Sequence, residues 1–318
     1  MRPRIWYPAC SPEATHKMPE IISDHNLKNL TTMRCGGNAK FFAEPADTEE
    51  LKEAIAFAKA QDIPYFILGR GSNVLISDKG YDGLVIRIGN KMADISVEDD
   101  GEYKIVSAGA GMSLAAFGKR LVDEGLEGGE FLCGIPGTVG GAVFMNAGAY
   151  GREIKDIALS AEYLQDGEIK TITAADMKLG YRTSVFAHME GTVITKFTAR
   201  LKKAADIEAV KAYVAELKEK RTASQPLDVP SAGSTFKRPE GYFAGKLIQD
   251  AGLKGFKLDE SGAQVSPKHS GFVVNNNGTA GASDIKRLMD YVSDEVYSKS
   301  GVRLEPEIRF IGEFDDKE

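Results

Sequence analysis

Apolar positions recur along the chain at two periods. In PADTEELKEAIAFAKAQDIP, residues 45–64, Leu51, Ala54, Ile55 and Ala58 line one face of a helix. Asp47 and Glu50 ahead of that stripe are spaced as a capping box. Short apolar runs read as strands at YFILG (65–69), LVIRI (84–88) and KIVSAGA (104–110), and SLAAFGKRLVDEG as a helix. IALSAEYLQDGEIKTI has the alternation of a hairpin about Asp166-Gly167, and TVITKFTARL extends as a strand. Past residue 203 a long helix is expected, with Ile207, Val210, Val214 and Leu217 in register. A three-proline loop follows, then the short helix FAGKLIQDAGLKG. SDIKRLMDYVSDEVYSKSG reads as a helix with Ser283 as N-cap and Gly301 past its end. RLEPEIRFIG is expected to return as a strand to an earlier sheet. Its alternation puts Glu305, Glu307 and Arg309 on one face, and Ile308 and Phe310 toward the core.

The elements describe an α+β protein with no internal repeat. One region covers 20–203, in two parts of about 20–90 and 91–203. A second covers 204–300, and 301–318 hold the returning strand and a tail. Residues 1–19 mix proline, serine and charge without periodicity and are expected to be a disordered leader. Met18 is a second candidate start.

Composition narrows the function classes. The 318 residues are 42% hydrophobic and 27% charged, with net charge −6. That is an ordinary globular balance. No basic block points to nucleic acid, and no apolar run has the length of a membrane span. The three cysteines are scattered, which fits a reducing, cytoplasmic setting, and the four histidines form no metal-binding pattern. Oligomeric state is not fixed by any of this, and a monomer is compatible with it.

Glycine is the conspicuous residue. GRGSNV follows a predicted strand at residue 69, and GIPGTVGGAVFMNAGAYG occupies 134–151. Neither completes GxGxxG or GxxxxGK[ST], so a Rossmann fold or P-loop is disfavoured. Tight turns alone are one explanation. The other is a dinucleotide on a different scaffold, its phosphates reached by backbone amides.

GRGSNVLISD, GIPGTVGGAVFMNAGAYG, YRTSVF, SQPLDVPSAGSTFKRP, AGKLIQDAGLKG, GAQVSPKHSGFVVN and LEPEIRFIG follow one another in order over about residues 28–312. In this the chain resembles the UDP-N-acetylenolpyruvoylglucosamine reductases. The resemblance implies an FAD-binding domain of the vanillyl-alcohol-oxidase/p-cresol-methylhydroxylase type, in two subdomains, with a C-terminal α+β substrate-binding domain. It implies non-covalent FAD, NADPH as co-substrate, and reduction of an enolpyruvyl UDP-sugar for peptidoglycan precursor synthesis. Ser234 matches the family's proton donor, Arg182 its catalytic arginine and Glu307 its catalytic glutamate. The FAD positions carried over are Gly69, Gly71, Ser72, Asn73, Ile135, Pro136, Gly137, Gly140, Gly141, Asn146, Gly148 and Ala149. Tyr181, Lys237, Arg238 and Gln264 are substrate-binding candidates, with Lys246 and Lys268 as further pocket candidates.

The chain departs from the pattern at Thr138, where serine is common, and at Arg238, where asparagine is common. It resembles the subclass without the extra tyrosine-bearing loop. Two rivals stand beside this reading: an oxidase of the same fold, and a non-catalytic nucleotide-sugar binder.

Overall fold

The computed structural model describes residues 18–315. The expected leader and the choice of start fall almost wholly outside them. The first layer is a mixed sheet of β1 (Ile22–Asn26), β2 (Asn38–Ala43), β5 (Tyr81–Arg87) and β3 (Tyr65–Leu68), in that order. β2 and β3 both run parallel to β5. A parallel pair needs a crossover, and α1 (Thr48–Ala60) supplies one, burying Leu51, Ala54, Ile55 and Ala58. Its cap differs from the expected box in one bond. Asp47 accepts from the Glu50 N–H at 2.8 Å, but the Glu50 carboxylate reaches past Asp47 to the Ala46 N–H at 2.9 Å. Between β3 and β5 the chain makes β4 (Val74–Ile76), which leaves this sheet.

The second layer is antiparallel. β6 (Ile95–Asp100) and β7 (Tyr103–Gly109) lead into α2 (Leu114–Asp123) and β8 (Leu126–Glu127). A 3-10 turn at Glu130–Gly134 and α3 (Val139–Phe144) precede the two-residue strands β9 (Gly148–Ala149) and β10 (Arg152–Glu153). β11 (Ala158–Gln165), β12 (Glu168–Thr173) and β13 (Val193–Lys203) complete the sheet, ordered β12-β11-β13-β7-β6. The expected hairpin is present: Asp166 and Gly167 both have positive φ (52° and 81°), as a two-residue connection requires. One buried cluster runs from Leu51, Leu84 and Ile86 of the first layer to Val106, Phe117, Phe197 and Leu201 of the second.

α4 (Ile207–Ser224) belongs with these layers. Expected to open the second region, it packs instead on the 3-10 turn, α2 and β8. Its apolar stripe is narrower than its sequence suggests. Val210 and Leu217 are buried, whereas Ile207 is 44% exposed. The remaining elements, α5 (Ala244–Asp250), β14 (Ala263–Val265), β15 (Val273–Asn275) and α6 (Ala282–Ser300), enclose a core of their own. Met33, Cys35 and Leu75 from the first layer reach into it. Burial pushes the Cys35 thiol up to about 12, so it is a packing group and not a nucleophile.

The final strand, β16 (Arg309–Ile311), does return, but to β4, pairing in parallel as Arg309 to Val74 and Ile311 to Ile76. A correction concerns α6, whose N-cap is Gly281 and not Ser283. The reason is long-range. Asp78, just past β4, accepts from the Ala282 and Ser283 N–H groups at 2.8 Å each, so the cap comes from another part of the chain. Asp284 accepts from the Gly281 N–H at 3.0 Å.

This cap ties α6 to the first layer. Asp78→Ala is expected to destabilise the fold by about 1 kcal/mol, the usual value of a capping side chain. Asp78→Asn keeps one acceptor oxygen where both carboxylate oxygens are used, and should recover only part of the loss. Urea unfolding of the two variants checks this, and wild-type stability in either would show that the bonds from Asp78 do not hold α6.

Candidate active site

A cavity of about 610 Å³ lies where the two layers meet the C-terminal elements. That is within the range of about 300–1,000 Å³ usual for ligand sites. β3 and the loop at 69–73 form one wall, residues 135–149 a second, and Ala232, Gly233, Ser234, Phe272, Glu307 and Arg309 a third.

Of the carried-over FAD positions, Gly69, Gly71, Ser72, Asn73, Ile135, Pro136, Gly137, Gly140, Gly141, Gly148 and Ala149 line this cavity. The two loops are joined by the Ser72 hydroxyl, which donates to the Pro136 carbonyl at 3.1 Å. Among the described residues, none of the backbone N–H groups of residues 70–73 donates to a protein acceptor. Unused amides on a cavity wall can form a nest for an anion.

The glycines divide by what a side chain would meet. At Gly69 a Cβ would lie 2.5 Å from Thr138 Oγ1, at Gly140 2.8 Å from Ala110 Cβ, and at Gly148 2.4 Å from the Arg152 carbonyl oxygen. Gly71 combines φ +65° with a Cβ position 2.3 Å from the Leu30 carbonyl oxygen. These four are glycine because at each a different part of the protein comes too close for a side chain. Gly141 differs. It sits inside α3 with ordinary backbone angles, and its Cβ would make only a 3.4 Å contact with Thr138 Oγ1. Helix propensity favours alanine there. The open space beside Gly141 is a cradle that a Cβ would partly fill. Thr138, the first departure from the family pattern, caps α3 through that same hydroxyl, which accepts from the Gly141 N–H at 3.3 Å.

Asn146 is a correction. It is fully buried and does not line the cavity. Its side-chain amide donates to Glu153 Oε2 at 3.0 Å and to the Gly180 carbonyl at 2.9 Å, while its oxygen accepts from the Lys155 N–H at 3.0 Å. Both hydrogens of its side-chain amide are spent on protein groups. Ser184 Oγ donates to the Phe144 carbonyl at 2.8 Å. Together these bonds hold the turn at 180–184 against residues 144–148.

Arg182 sits at the tip of that turn with φ +54°, an uncommon angle for a residue with a side chain. Its Nε donates to Glu307 Oε1 at 2.7 Å. Glu307 is neither solvated nor paired with Arg309. Burial raises its pKa, and the Arg182 guanidinium pulls it back. The Arg309 guanidinium lies 4.7 Å from the Phe144 ring centroid. Main-chain pairing sets Ser234 beside these groups: the Glu307 N–H donates to the Thr235 carbonyl at 2.9 Å and the Lys237 N–H to the Glu305 carbonyl at 2.9 Å. The Ser234 side chain is exposed into the cavity.

The other candidates fall outside the cavity wall. Lys237 pairs with Glu305 at 3.3 Å. Tyr181 and Arg238 flank the rim, the Tyr181 hydroxyl accepting from the Arg238 N–H at 3.0 Å. Gln264 is turned inward, donating to the Gly255 carbonyl at 3.0 Å. Lys246 pairs with Asp250, and Lys268 donates to the Thr222 carbonyl at 2.6 Å. Arg70, Tyr150, Arg221, Gln225 and Arg309 line the cavity without having been anticipated.

Comparison with known proteins places this geometry. Residues 39–173 match the family described as "FAD binding domain", and residues 225–311 match "UDP-N-acetylenolpyruvoylglucosamine reductase, C-terminal domain". A UDP-N-acetylenolpyruvoylglucosamine reductase of Agathobacter rectalis is 47% identical over 94% of this chain and 97% of its own. The chain belongs to the UDP-N-acetylenolpyruvoylglucosamine reductase family. The reductase of Alkaliphilus oremlandii is 44% identical over 92% of this chain and 94% of its own. The crystal structure of the Thermus caldophilus reductase has a TM-score of 0.76 at 34% identity, covering 90% of this chain and 97% of that one. As a reductase of this family the chain is an FAD-containing oxidoreductase, and its C-terminal match begins at residue 225, after α4.

Two substitutions separate the roles drawn above. Gly141→Ala should weaken FAD binding while leaving the apoprotein as stable as wild type or more so, by up to about 1 kcal/mol. Asn146→Ala should cost about 1–3 kcal/mol of stability by orphaning buried partners, and should slow turnover. Thermal unfolding and flavin-fluorescence titration read both. FAD loss in Asn146→Ala at unchanged stability would return that residue to the cofactor.

Proposed function

We propose that this chain reduces UDP-N-acetylenolpyruvoylglucosamine to UDP-N-acetylmuramate, with NADPH as the source of reducing equivalents. The observation that carries the reading is the meeting of Ser234, Arg182 and Glu307 on one cavity whose other walls are the two glycine loops. FAD, when bound there, supplies the hydride for the terminal carbon of the enolpyruvyl ether.

The chain's own residues hold the cofactor and manage charge and proton. The unused N–H groups of residues 70–73 suit the pyrophosphate, and the open face at Gly141 suits close approach of the cofactor. No histidine or cysteine lines the cavity among the described residues, which fits non-covalent binding. Hydride addition builds negative charge on the α-carbon and the attached carboxylate. Arg182 is placed to meet that charge. Glu307 engages its Nε and fixes the direction of the fork; Nη2 donates to the Gly148 carbonyl in a long bond of 3.5 Å that a carboxylate can replace, and Nη1 is left for the second carboxylate oxygen. Because Glu307 is buried, this ion pair acts in a weakly screened setting, where fixed charge stabilises a transition state most. Ser234 then gives its hydroxyl proton to the α-carbon, so hydride and proton together saturate the double bond. The resulting alkoxide is relieved by the nearby cations and by reprotonation from solvent. Cytoplasmic location follows from the nature of the substrate. Among the described residues no helix is long and apolar enough to cross a membrane.

Anaerobic stopped-flow absorbance tests the assignment. Ser234→Ala is expected to be reduced by NADPH at the wild-type rate. Its reoxidation by the enolpyruvyl UDP-sugar should be slower by about 10²–10⁴-fold, the usual value of a general acid. A wild-type enzyme that stays reduced until oxygen is admitted would instead be an oxidase.

A further inference from the structure

Arg221 and Gln225 stand on the cavity wall at the end of α4. The Arg221 stem lies across Gly134. A Cβ at Gly134 would meet Arg221 Cδ at 3.1 Å and Nη1 at 3.4 Å. Gly134 has no positive φ that would itself require glycine. The space it leaves is filled by the arginine. Tyr150 also lines the cavity, and its hydroxyl donates to the Leu217 carbonyl of α4 at 3.2 Å, holding the helix beside residues 148–150.

Among the described residues the Arg221 guanidinium has no acidic partner and no hydrogen-bond acceptor; only the more distant Tyr150 side chain favours its charge. Burial lowers its pKa from the usual guanidinium value. Arg182, by contrast, has Glu307. A partly desolvated cation without a counter-charge is costly unless a ligand brings the anion. Gln225 adds a second unfilled requirement. Its N–H donates to the Arg221 carbonyl at 2.9 Å, and its side-chain oxygen is buried with no donor. The wall thus carries, one helical turn apart, a cation lacking an anion and a glutamine whose side-chain oxygen, shielded in this conformation, lacks a donor and can gain one by turning its amide toward the cavity.

A phosphate answers only the first, because it carries no donor. The pyrimidine edge of a flavin answers both: N3–H stands next to the C2 carbonyl and N1, and N1 takes up negative charge on two-electron reduction. We propose that Arg221 and Gln225 hold the pyrimidine edge of the flavin, and that Arg221 stabilises the anionic reduced ring and so raises its reduction potential. This rests on the FAD reading of the cavity.

The test uses holoenzyme of wild type, Arg221→Met, Arg221→Lys and Gly134→Ala. The midpoint potential is measured by spectroelectrochemistry, the reduced-flavin spectrum is recorded at pH 7, and FAD affinity is obtained by fluorescence titration. In Arg221→Met the potential should fall, each tenfold loss of preference for reduced over oxidised flavin reading as about 30 mV. The reduced spectrum should move toward that of the neutral form. Arg221→Lys should recover part of the loss. Gly134→Ala keeps the charge but displaces the stem, and should give a smaller shift of the same sign. It also carries the measurement if Arg221→Met fails to retain FAD. A wild-type potential and reduced spectrum in flavin-loaded Arg221→Met overturn the proposal, including when affinity for the UDP-sugar falls, which would assign the arginine to a diphosphate. Wild-type protein that binds no FAD would fail the underlying reading instead.

Discussion

The site depends on how one extended segment, residues 305–311, is gripped from both sides. On one side its backbone pairs with residues 235–237, directly after Ser234. On the other, the Asn73 side-chain amide donates to the Glu307 carbonyl at 3.2 Å, the Arg309 N–H donates to the Asn73 carbonyl at 3.0 Å, and β16 runs on along β4. Asn73 therefore closes the first glycine loop onto the C-terminal segment as well as lining the cavity. A chain end more than 230 residues away is fixed by backbone bonds that leave few polar groups unsatisfied. Other bonds join the C-terminal elements to the first layer, from Asp78 to α6 and from Asn275 and Ser231 to residues 32–33, but this clamp is the one that joins the Glu307 segment directly to the first glycine loop.

Charge is organised around the clamp. The cavity wall carries Arg70, Arg182, Arg221 and Arg309 against Glu307 as its acidic residue. Such an excess of cations in a concave, partly apolar space favours anionic ligands and raises their local concentration. The Arg182–Glu307 pair does a different job. Its partners come from the tip of a turn and from the gripped segment, so the bond also reports whether the two bodies are in register. The positive φ of Arg182 stores strain that the buried Asn146 and Ser184 bonds hold in place.

What could be read from the sequence was what neighbours in the chain decide. The α1 stripe, the Asp166-Gly167 hairpin and the glycine loops are local patterns, and all three appear where expected. The failures are non-local. The α6 cap arrives from Asp78, 204 residues away, so no inspection of SDIK could find it. α4 has a helical period in its sequence, but its narrow stripe does not say which body it lies on. Asn146 stands in a glycine-rich run where a ligand contact and a buried strut look alike. Gln264, Lys246 and Lys268 carry polar groups that are satisfied by carbonyls or an acid outside the cavity. Arg221 had one available signal: an arginine one turn ahead of the Gln-Pro at 225–226, at the end of a helix whose buried positions include Leu217.

The glycines of the two loops, 69–73 and 134–151, have two causes, and they make different demands on the chain. At Gly69, Gly140 and Gly148 the obstacle to a side chain is another part of the protein, so glycine there sets how closely the loops can pack. At Gly141 the protein itself raises no obstacle, and helix propensity argues for alanine. A residue that lowers the stability of its own helix without relieving any internal contact is explained by something outside the chain. Under the proposed function that something is the cofactor, with Gly141 at the surface where the protein stops and the ligand begins.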